Sequence, residues 1–182
     1  MWPRIKHYLG YHRVPISFGL GVLFWMLASP TWRSIALGLP IVAAGELLRI
    51  WSSGTLEKNV AIASAGPYAY TRNPLYLGNF FIGLGFVLMG GNPWLIGLYL
   101  VVFPMVYVPT VLEEERFLRG KFGEAYEAYL QRVPRFFPTR SVTPRRTGQF
   151  RWGLVKDHRE YRTWYGLGAG LAAVLLRAIL VA

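Results

Sequence analysis

Long apolar stretches alternate with short polar and basic connections along most of this chain. A helix that crosses a lipid bilayer needs about 20 consecutive, mostly apolar residues. Buried helices of a soluble protein are the alternative, and five apolar stretches in 182 residues argue against it. We therefore expect an all-α fold, a polytopic transmembrane helical bundle of about five spans. The five stretches are Val14–Pro30, Ser34–Trp51, Leu75–Gly90, Trp94–Leu112 and Thr163–Ala182.

The third and fourth predicted spans are joined by a turn of four residues, Gly90-Gly91-Asn92-Pro93. Glycine and the Asn-Pro pair are typical of tight turns. We therefore expect an antiparallel helical hairpin, in which the far ends of both spans lie at the same depth. Beyond the fourth span, apolar residues recur at helical spacing and predict an amphipathic helix that continues or bends away from the span. They are Leu118, Phe122, Tyr126, Tyr129, Leu130 and Val133.

Composition and charge support a membrane protein. Hydrophobic residues make up 53% of the chain and charged residues 16%, whereas about a quarter of a soluble domain is charged. The net charge is +11, but the basic residues flank apolar segments, which favours anionic lipid head groups over nucleic acid. The chain has no cysteine, which excludes disulfides and thiolate chemistry. Its three histidines show no metal-ligand spacing, so no metal site is expected.

The basic residues are distributed unequally between the two sides of the predicted bundle. Of the 20 Lys and Arg residues, only Arg33 and Arg177 fall on one side. Lys and Arg concentrate in the cytoplasmic loops of membrane proteins. We therefore predict that the N-terminus and residues 113–162 are cytoplasmic and that the C-terminus lies outside.

Two polar clusters occupy the predicted cytoplasmic ends of the hairpin. Gly66–Gly78 opens the third span, with Asn73 suited to a helix N-cap and Pro74 to the first turn. Glu113–Glu115 follows the fourth span, where three carboxylates at a helix C-terminal end oppose the helix dipole and need compensation. A capped helix start with interfacial anchors and a solvated charge run are the simpler interpretations of the two clusters.

The hairpin changes this comparison because it brings the two clusters together. We expect Arg72, Asn73 and Tyr76 to face Glu114 and Glu115 across a pocket. Carboxylates there could accept hydrogen bonds from ribose hydroxyls and an amino group, and an arginine could bind a carboxylate. Aromatic rings could contact a base or a sulfonium.

A further carboxylate, Glu46, lies within the second span. Such a position costs roughly 2.5–3.5 kcal/mol on insertion scales and is a functional candidate. Arg49 lies three residues further along the helix and can pair with it. Glu46 could form a structural ion pair or belong to the wall of a cavity, and both interpretations remain open. In the tail, residues 157–160 are interpreted as an interfacial charge cluster without a catalytic role.

The order of these motifs resembles the isoprenylcysteine carboxyl methyltransferase family, which belongs with the phospholipid methyltransferases. The motifs are individually weak and fairly specific in combination. The resemblance implies a helical membrane enzyme that binds S-adenosylmethionine on the cytoplasmic side and methylates a lipophilic or lipidated substrate that enters from the bilayer. It runs through Gly66–Gly78, the hairpin, Glu114-Glu115-Arg116-Phe117-Leu118, Phe122-Gly123, Tyr126, Tyr129, Val133-Pro134-Arg135 and Pro138.

The resemblance also implies functional residues. The length of the chain suggests a single membrane domain over residues 1–182, and the resemblance makes residues 66–138 its cofactor-binding and catalytic part. Arg72, Glu114 and Arg135 are the predicted catalytic residues, with Arg135 orienting the substrate. The predicted cofactor-binding residues are Tyr70, Arg72, Asn73, Tyr76, Gly78, Glu114 and Glu115.

One departure from the family and two alternative functions bear on this prediction. Eukaryotic members usually have histidine before the proline, and this chain has Asn73. Asparagine does not titrate near neutral pH, which excludes a histidine base at this place and leaves open whether prenylcysteine is a substrate. Membrane sterol reductases that use NADPH carry a similar Arg-x-Pro-x-Tyr-x-Gly run, although paired glutamates disfavour a phosphate-rich dinucleotide. A non-catalytic membrane scaffold is the other alternative.

Overall fold

The computed structural model describes residues 19, 21–57, 62–138 and 149–181. Within these ranges every regular element is helical, which confirms the all-α prediction. Residues 21–27 are helical and precede a capped turn into α1. The remaining elements, in chain order, are α1 (Trp32–Thr55), a 3₁₀ turn (Gly66–Ala69), α2 (Pro74–Met89), α3 (Pro93–Phe122), α4 (Glu124–Arg132), α5 (Trp152–Asp157) and α6 (Tyr161–Val181).

Three of these helices, α1, α3 and α6, are long and apolar enough to cross a membrane. They correspond to the second, fourth and fifth predicted spans. The third predicted span is α2, an apolar helix of 16 residues, about 24 Å long at 1.5 Å per residue. Of the first predicted span, Val14–Pro30, residue 19 and residues 21–30 are described, and residues 21–27 among them are helical, whereas residues 14–18 and 20 lie outside the described residues. The count of five spans therefore stays a prediction.

Glycines bring α1 and α2 into close contact. A Cβ atom on Gly45 would lie 2.7 Å from the carbonyl oxygen of Gly78, and one on Gly85 would lie 2.7 Å from that of Gly38. A Cβ atom essentially never lies within 3.0 Å of a carbonyl oxygen. The two backbones can therefore approach this closely only where the residues have no side chain. Small residues play this part where membrane helices pack, because lipid tails provide no hydrophobic drive between helices.

The predicted hairpin of α2 and α3 is confirmed. Gly91 adopts a φ of +65° in the turn, a conformation that glycine adopts without strain. The Asn92 side chain caps α3 by accepting a hydrogen bond from the backbone N–H of Trp94 at 3.0 Å. Further along, the Tyr99 hydroxyl donates to the Phe80 carbonyl at 2.9 Å. Residues on α2 and α3 that lie progressively further from the turn thus contact each other, as expected for antiparallel helices.

α3 continues well past the apolar stretch that predicts it. It ends at Phe122, before Gly123 with a φ of +55°. Glu113–Glu115 therefore lie about two turns inside the helix, and their predicted position at its C-terminal end is wrong. The reason is local, since Glu, Arg, Leu and Lys are good helix formers and the chain breaks at the glycine instead. Beyond it, α4 packs its apolar face on the end of α3 through Tyr126, Tyr129, Leu130, Val133, Leu118 and Phe122.

The C-terminal segment returns to α1. The backbone N–H of Arg151 donates to the Gly54 carbonyl at 2.9 Å, which fixes the segment at the end of α1. α6 then packs along α1 and α2, where Val174 joins Val42 and Met89 in a buried cluster. This path places the start of α6 beside the later turns of α1.

Candidate active site

A polar cavity of about 410 Å³ lies between α1, α2, α3 and the 3₁₀ turn. Pockets for small molecules measure roughly 300–1,000 Å³. Five of the seven predicted cofactor-binding residues line it: Arg72, Asn73, Tyr76, Glu114 and Glu115. The two clusters at the ends of the hairpin therefore face each other, as predicted from the tight turn.

The other two predicted cofactor-binding residues do not line this cavity. Gly78 lies in the contact between α1 and α2, where an added Cβ would meet Arg49 Cγ at 2.5 Å and the Gly45 carbonyl at 2.8 Å. Its small size serves helix packing. Tyr70 is half-buried and follows the 3₁₀ turn, where its backbone N–H donates to the Pro67 carbonyl at 3.1 Å.

Glu115 is the centre of a buried ion-pair network. Its side chain is 4% exposed and accepts two hydrogen bonds from Arg135, at 2.9 Å from Nη2 and 3.1 Å from Nε. Arg72 Nη1 approaches the same carboxylate at 3.3 Å. Fork-to-fork pairs of this kind are strong and directional. The hydrogen bonds that Arg135 donates to Glu115 raise the pKa of the Arg135 guanidinium above its ordinary value, so Arg135 stays charged.

Arg72 uses its remaining donors on the end of α4. Its Nε donates to the Val133 carbonyl at 2.5 Å and its Nη2 to the Leu130 carbonyl. These are unpaired carbonyls of a helix C-terminus, which basic side chains commonly satisfy. Arg72 therefore ties the 3₁₀ turn to α4 and fixes the position of Glu115.

Glu114, by contrast, is free to meet a ligand. Its only hydrogen bond within the described part of the chain comes from the Tyr76 hydroxyl at 3.0 Å, and no cation there pairs with it. Adjacent residues on a helix point about 100° apart, which explains why Glu114 and Glu115 have different environments. The cavity therefore contains a carboxylate whose acceptor capacity is largely unused.

Asn73 occupies the N-cap position of α2, but its side chain does not cap the helix. Instead its Nδ2 donates to the Arg135 carbonyl at 3.0 Å. The backbone N–H of Arg72 donates to the neighbouring Pro134 carbonyl at 3.0 Å. The predicted capping role of the Asn73 side chain is thus wrong, since its amide holds the segment that carries Arg135.

A second cavity, the apolar pocket, measures about 250 Å³ and lies on the other side of Arg135. Arg135 is its single charged lining residue among those described. Sequence analysis missed this pocket, because its aromatic residues belong to apolar spans whose side chains could equally face lipid. It is lined mainly by Phe80, Phe103, Tyr107, Val111 and Phe136.

Two contacts separate the polar cavity from the apolar pocket. The rings of Tyr76 and Tyr107, one from each wall, lie 5.6 Å apart in an edge-on arrangement. The ion pair of Glu115 and Arg135 forms the other contact, at 2.9 Å. The two cavities are therefore adjacent at these contacts.

A second polar network joins α1 to α6 at the edge of the polar cavity. Arg49 Nη2 lies 2.7 Å from Glu160 Oε2, and its Nη1 donates to Asn79 on α2. Glu46 lies 3.8 Å from Arg49 Nε and accepts a hydrogen bond from Trp164 at 2.7 Å. Arg49 and Glu160 line the cavity, whereas Glu46 does not. Within the described residues, the predicted pair of Glu46 and Arg49 is therefore part of a larger network.

Glu160 departs from the interpretation of residues 157–160 as an interfacial charge cluster. Its side chain is only 5% exposed, and His158 also lines the cavity. Sequence reasoning had no signal for this, since the partners Arg49 and Glu160 are 111 residues apart.

Comparison with known proteins places this site in a family. Residues 33–125 match the family model described as phospholipid methyltransferase. The chain belongs to the phospholipid methyltransferase family. The matched region includes Arg72, Asn73, Tyr76, Glu114 and Glu115, whereas Arg135 and Glu160 lie beyond it. Together with three helices long enough to cross a membrane, family membership supports an integral membrane protein.

The relatives of this phospholipid methyltransferase family member have different functions according to their names. It is 31% identical over 144 residues to the cobalt-zinc-cadmium resistance protein CzcN of Cupriavidus metallidurans, covering 75% of this chain and 66% of that one. It is 33% identical over 136 residues to protein-S-isoprenylcysteine O-methyltransferase of Mus musculus, covering 68% and 48%. It is 32% identical over 102 residues to steroid 5-alpha-reductase DET2 of Solanum lycopersicum, covering 52% and 39%.

These matches confirm the predicted resemblance to the isoprenylcysteine methyltransferases. The chain spans about two thirds of the length of CzcN and about half of the mouse methyltransferase. The region that matches the family model, residues 33–125, includes the hairpin and both polar clusters.

Proposed function

We propose that this protein is an integral membrane methyltransferase that uses S-adenosylmethionine and acts on a lipophilic or lipidated substrate. The observation that carries the proposal is the juxtaposition of two cavities. The polar cavity presents the unused carboxylate of Glu114, and the apolar pocket presents aromatic walls with Arg135 at its edge. A polar donor and an apolar acceptor can therefore meet without sharing a site.

The residues of the polar cavity fit S-adenosylmethionine. Glu114 can accept hydrogen bonds from ribose hydroxyls, with the Tyr76 hydroxyl beside it. Tyr68, Phe117 and Tyr126 add aromatic surface for the base and the positively charged sulfur. Burial raises the pKa of the Tyr126 phenol to about 12, so this ring stays uncharged. S-adenosylmethionine, when bound, supplies an electrophilic methyl group.

The residues of this chain act by positioning and by excluding water. In-line alignment of reacting groups can account for most of the acceleration of such a transfer. Arg135 is half exposed, at 51%, and can orient an anionic acceptor such as a carboxylate, for which no general base is needed. Glu115 and Asn73 hold Arg135 from its side chain and its backbone. Phe80 and Phe136 keep water away from the boundary.

The proposed topology places this chemistry at the cytoplasmic side of the membrane. The five apolar stretches support five spans, and the distribution of basic residues supports a cytoplasmic N-terminus and cytoplasmic residues 113–162. α4 is then a cytoplasmic amphipathic helix that covers the end of α3. In this arrangement residues 1–182 form one membrane domain, and residues 66–138 contribute most of the catalytic part.

Ligand binding by the purified protein in detergent tests the proposal. Calorimetric titration with S-adenosylhomocysteine should give saturable binding, and titration with NADPH should give none. The likeness to a steroid reductase makes NADPH the informative second ligand. Binding of NADPH alone would instead favour a reductase, and binding of neither ligand at millimolar concentration would favour a scaffold. Transfer of a labelled methyl group to extracted membrane lipids or to a prenylated cysteine then identifies the acceptor.

A further inference from the structure

The polar cavity has a second charged end that comes from outside the family match. Glu160 precedes α6 and lies well beyond residues 33–125. Its partner Arg49 lies within the match, on α1, and both side chains line the cavity. A charged group that is 95% buried is seldom found without a paired charge or a ligand.

Within the part of the chain that the structure describes, only one oxygen of the Glu160 carboxylate has a partner. Oε2 accepts hydrogen bonds from Arg49 at 2.7 Å and from the Thr163 hydroxyl at 3.5 Å. Oε1 has no partner among the described residues. The arginine is held in turn by Asn79 on α2 and by Thr163. The pair is therefore rigid, and one acceptor oxygen remains available beside the cavity.

The two charged ends of the cavity lie along the same face of α2. Asn79, which binds Arg49, follows Tyr76, which binds Glu114, by three residues, and residues three apart are neighbours on a helix surface. The Glu114 end is lined by aromatic rings and presents the more exposed Glu114 carboxylate. The buried pair of Arg72 and Glu115 also lies there, but it already binds the Val133 carbonyl and Arg135. The Glu160 end carries one buried charge of each sign.

We propose that Arg49 and Glu160 bind the amino-acid end of the methyl donor, with Glu160 accepting a hydrogen bond from the ammonium and Arg49 facing the carboxylate. This inference rests on the proposed function. An α-amino acid group is a zwitterion, and a fixed Arg–Glu pair presents the complementary charges. Ribose and adenine carry no charge and match the aromatic Glu114 end. The C-terminal segment, through Glu160, thus completes a site that the family region begins.

Two ligands that differ only in the amino-acid end test this assignment. S-adenosylhomocysteine carries it, and 5′-methylthioadenosine lacks it. The wild-type protein in detergent should bind the first at least tenfold more tightly in calorimetric titrations. Glu160→Gln should weaken binding of S-adenosylhomocysteine by roughly ten- to a hundredfold, since a charged hydrogen bond in a buried setting is lost. Its effect on 5′-methylthioadenosine should be less than about threefold.

Glu114→Gln is the matched control, because it removes the same charge at the other end of the cavity. It should weaken both ligands by the same factor. Equal losses for both ligands in Glu160→Gln would mean a purely structural role and would overturn the inference, as would no loss at all. Equal affinities of the wild type for the two ligands would overturn it even if the variant does not fold. Failure of the wild type to bind either ligand would refute the proposed methyltransferase function as well.

Discussion

The same substitution should affect different properties at the neighbouring carboxylates Glu114 and Glu115. Glutamine keeps the size of glutamate and removes its charge. Glu115 is buried between Arg72 and Arg135, whereas the Tyr76 hydroxyl is the only partner of Glu114 among the described residues. We therefore expect Glu115→Gln to reduce stability and Glu114→Gln to reduce cofactor binding.

The loss of stability expected for Glu115→Gln comes mainly from the contact with Arg72, whose side chain is 14% exposed. The charged hydrogen bonds of a buried group contribute about 1.5–3 kcal/mol each. The contact with Arg135 adds less, because this arginine is half exposed and its pairing is screened by water. Glu115→Gln should therefore lower the free energy of unfolding by about 1.5–3 kcal/mol. At roughly 2–4 °C per kcal/mol for a chain of this length, the melting temperature falls by roughly 3–12 °C.

The magnitude for Glu114 is set by its exposure to the open side of the cavity. One charged hydrogen bond to the ligand at the lower end of the range, about 1.5 kcal/mol, corresponds to about tenfold in affinity. The melting temperature without ligand should stay at the wild-type value. Thermal unfolding in detergent and calorimetric titration of S-adenosylhomocysteine measure the two effects. Glu113→Gln, on the same helix but outside the cavity lining, is the control for a neighbouring carboxylate that does not line the cavity.

Either of two results would refute the roles assigned to Glu115 and Glu114. If Glu115→Gln melted like the wild type, the ion-pair network would not contribute as the geometry indicates. If Glu114→Gln bound S-adenosylhomocysteine unchanged, the free carboxylate would not belong to the cofactor site.

Three further predictions concern other parts of the molecule. Asn73→Ala should slow methyl transfer while leaving affinity for S-adenosylhomocysteine within about twofold, because Asn73 holds the backbone of Arg135. Steady-state rates measure the first effect and calorimetric titrations the second, and a parallel loss of rate and affinity would contradict this role of Asn73. Gly78→Val should prevent close packing with Gly45 and lower the melting temperature. The decrease should be larger than for Gly97→Val on α3, where an added Cβ meets nothing within 4 Å. Equal decreases would restore Gly78 as a candidate cofactor residue. Reporter fusions at positions 33 and 149 should report opposite sides of the membrane, and the same side for both would invalidate the topology.

Much of the fold could be predicted from local patterns. Apolar stretches of near-bilayer length predict the helices, and the Gly90–Pro93 turn predicts the hairpin, because both depend on residues close in sequence. The hairpin then sets the depth of its two ends, which is why Tyr76 and Glu114 meet at 3.0 Å as expected. The end of α3 was harder to place, because a polar boundary in the sequence is not a helix boundary. Gly123, with its positive φ, ends the helix eight residues after Glu115.

The sequence by itself determined helix content, the approximate depth of each polar cluster and the family. Only the tertiary structure decided how each helix is rotated about its axis and which partner each charge selects. Arg72 binds the end of α4, Arg135 reaches Glu115, and Arg49 reaches Glu160 across 111 residues. These choices depend on packing between distant segments, such as the contact of Gly45 with Gly78. Local periodicity carries no information about such contacts, because a helix of given sequence can present any of its faces to a neighbour until the whole bundle is assembled.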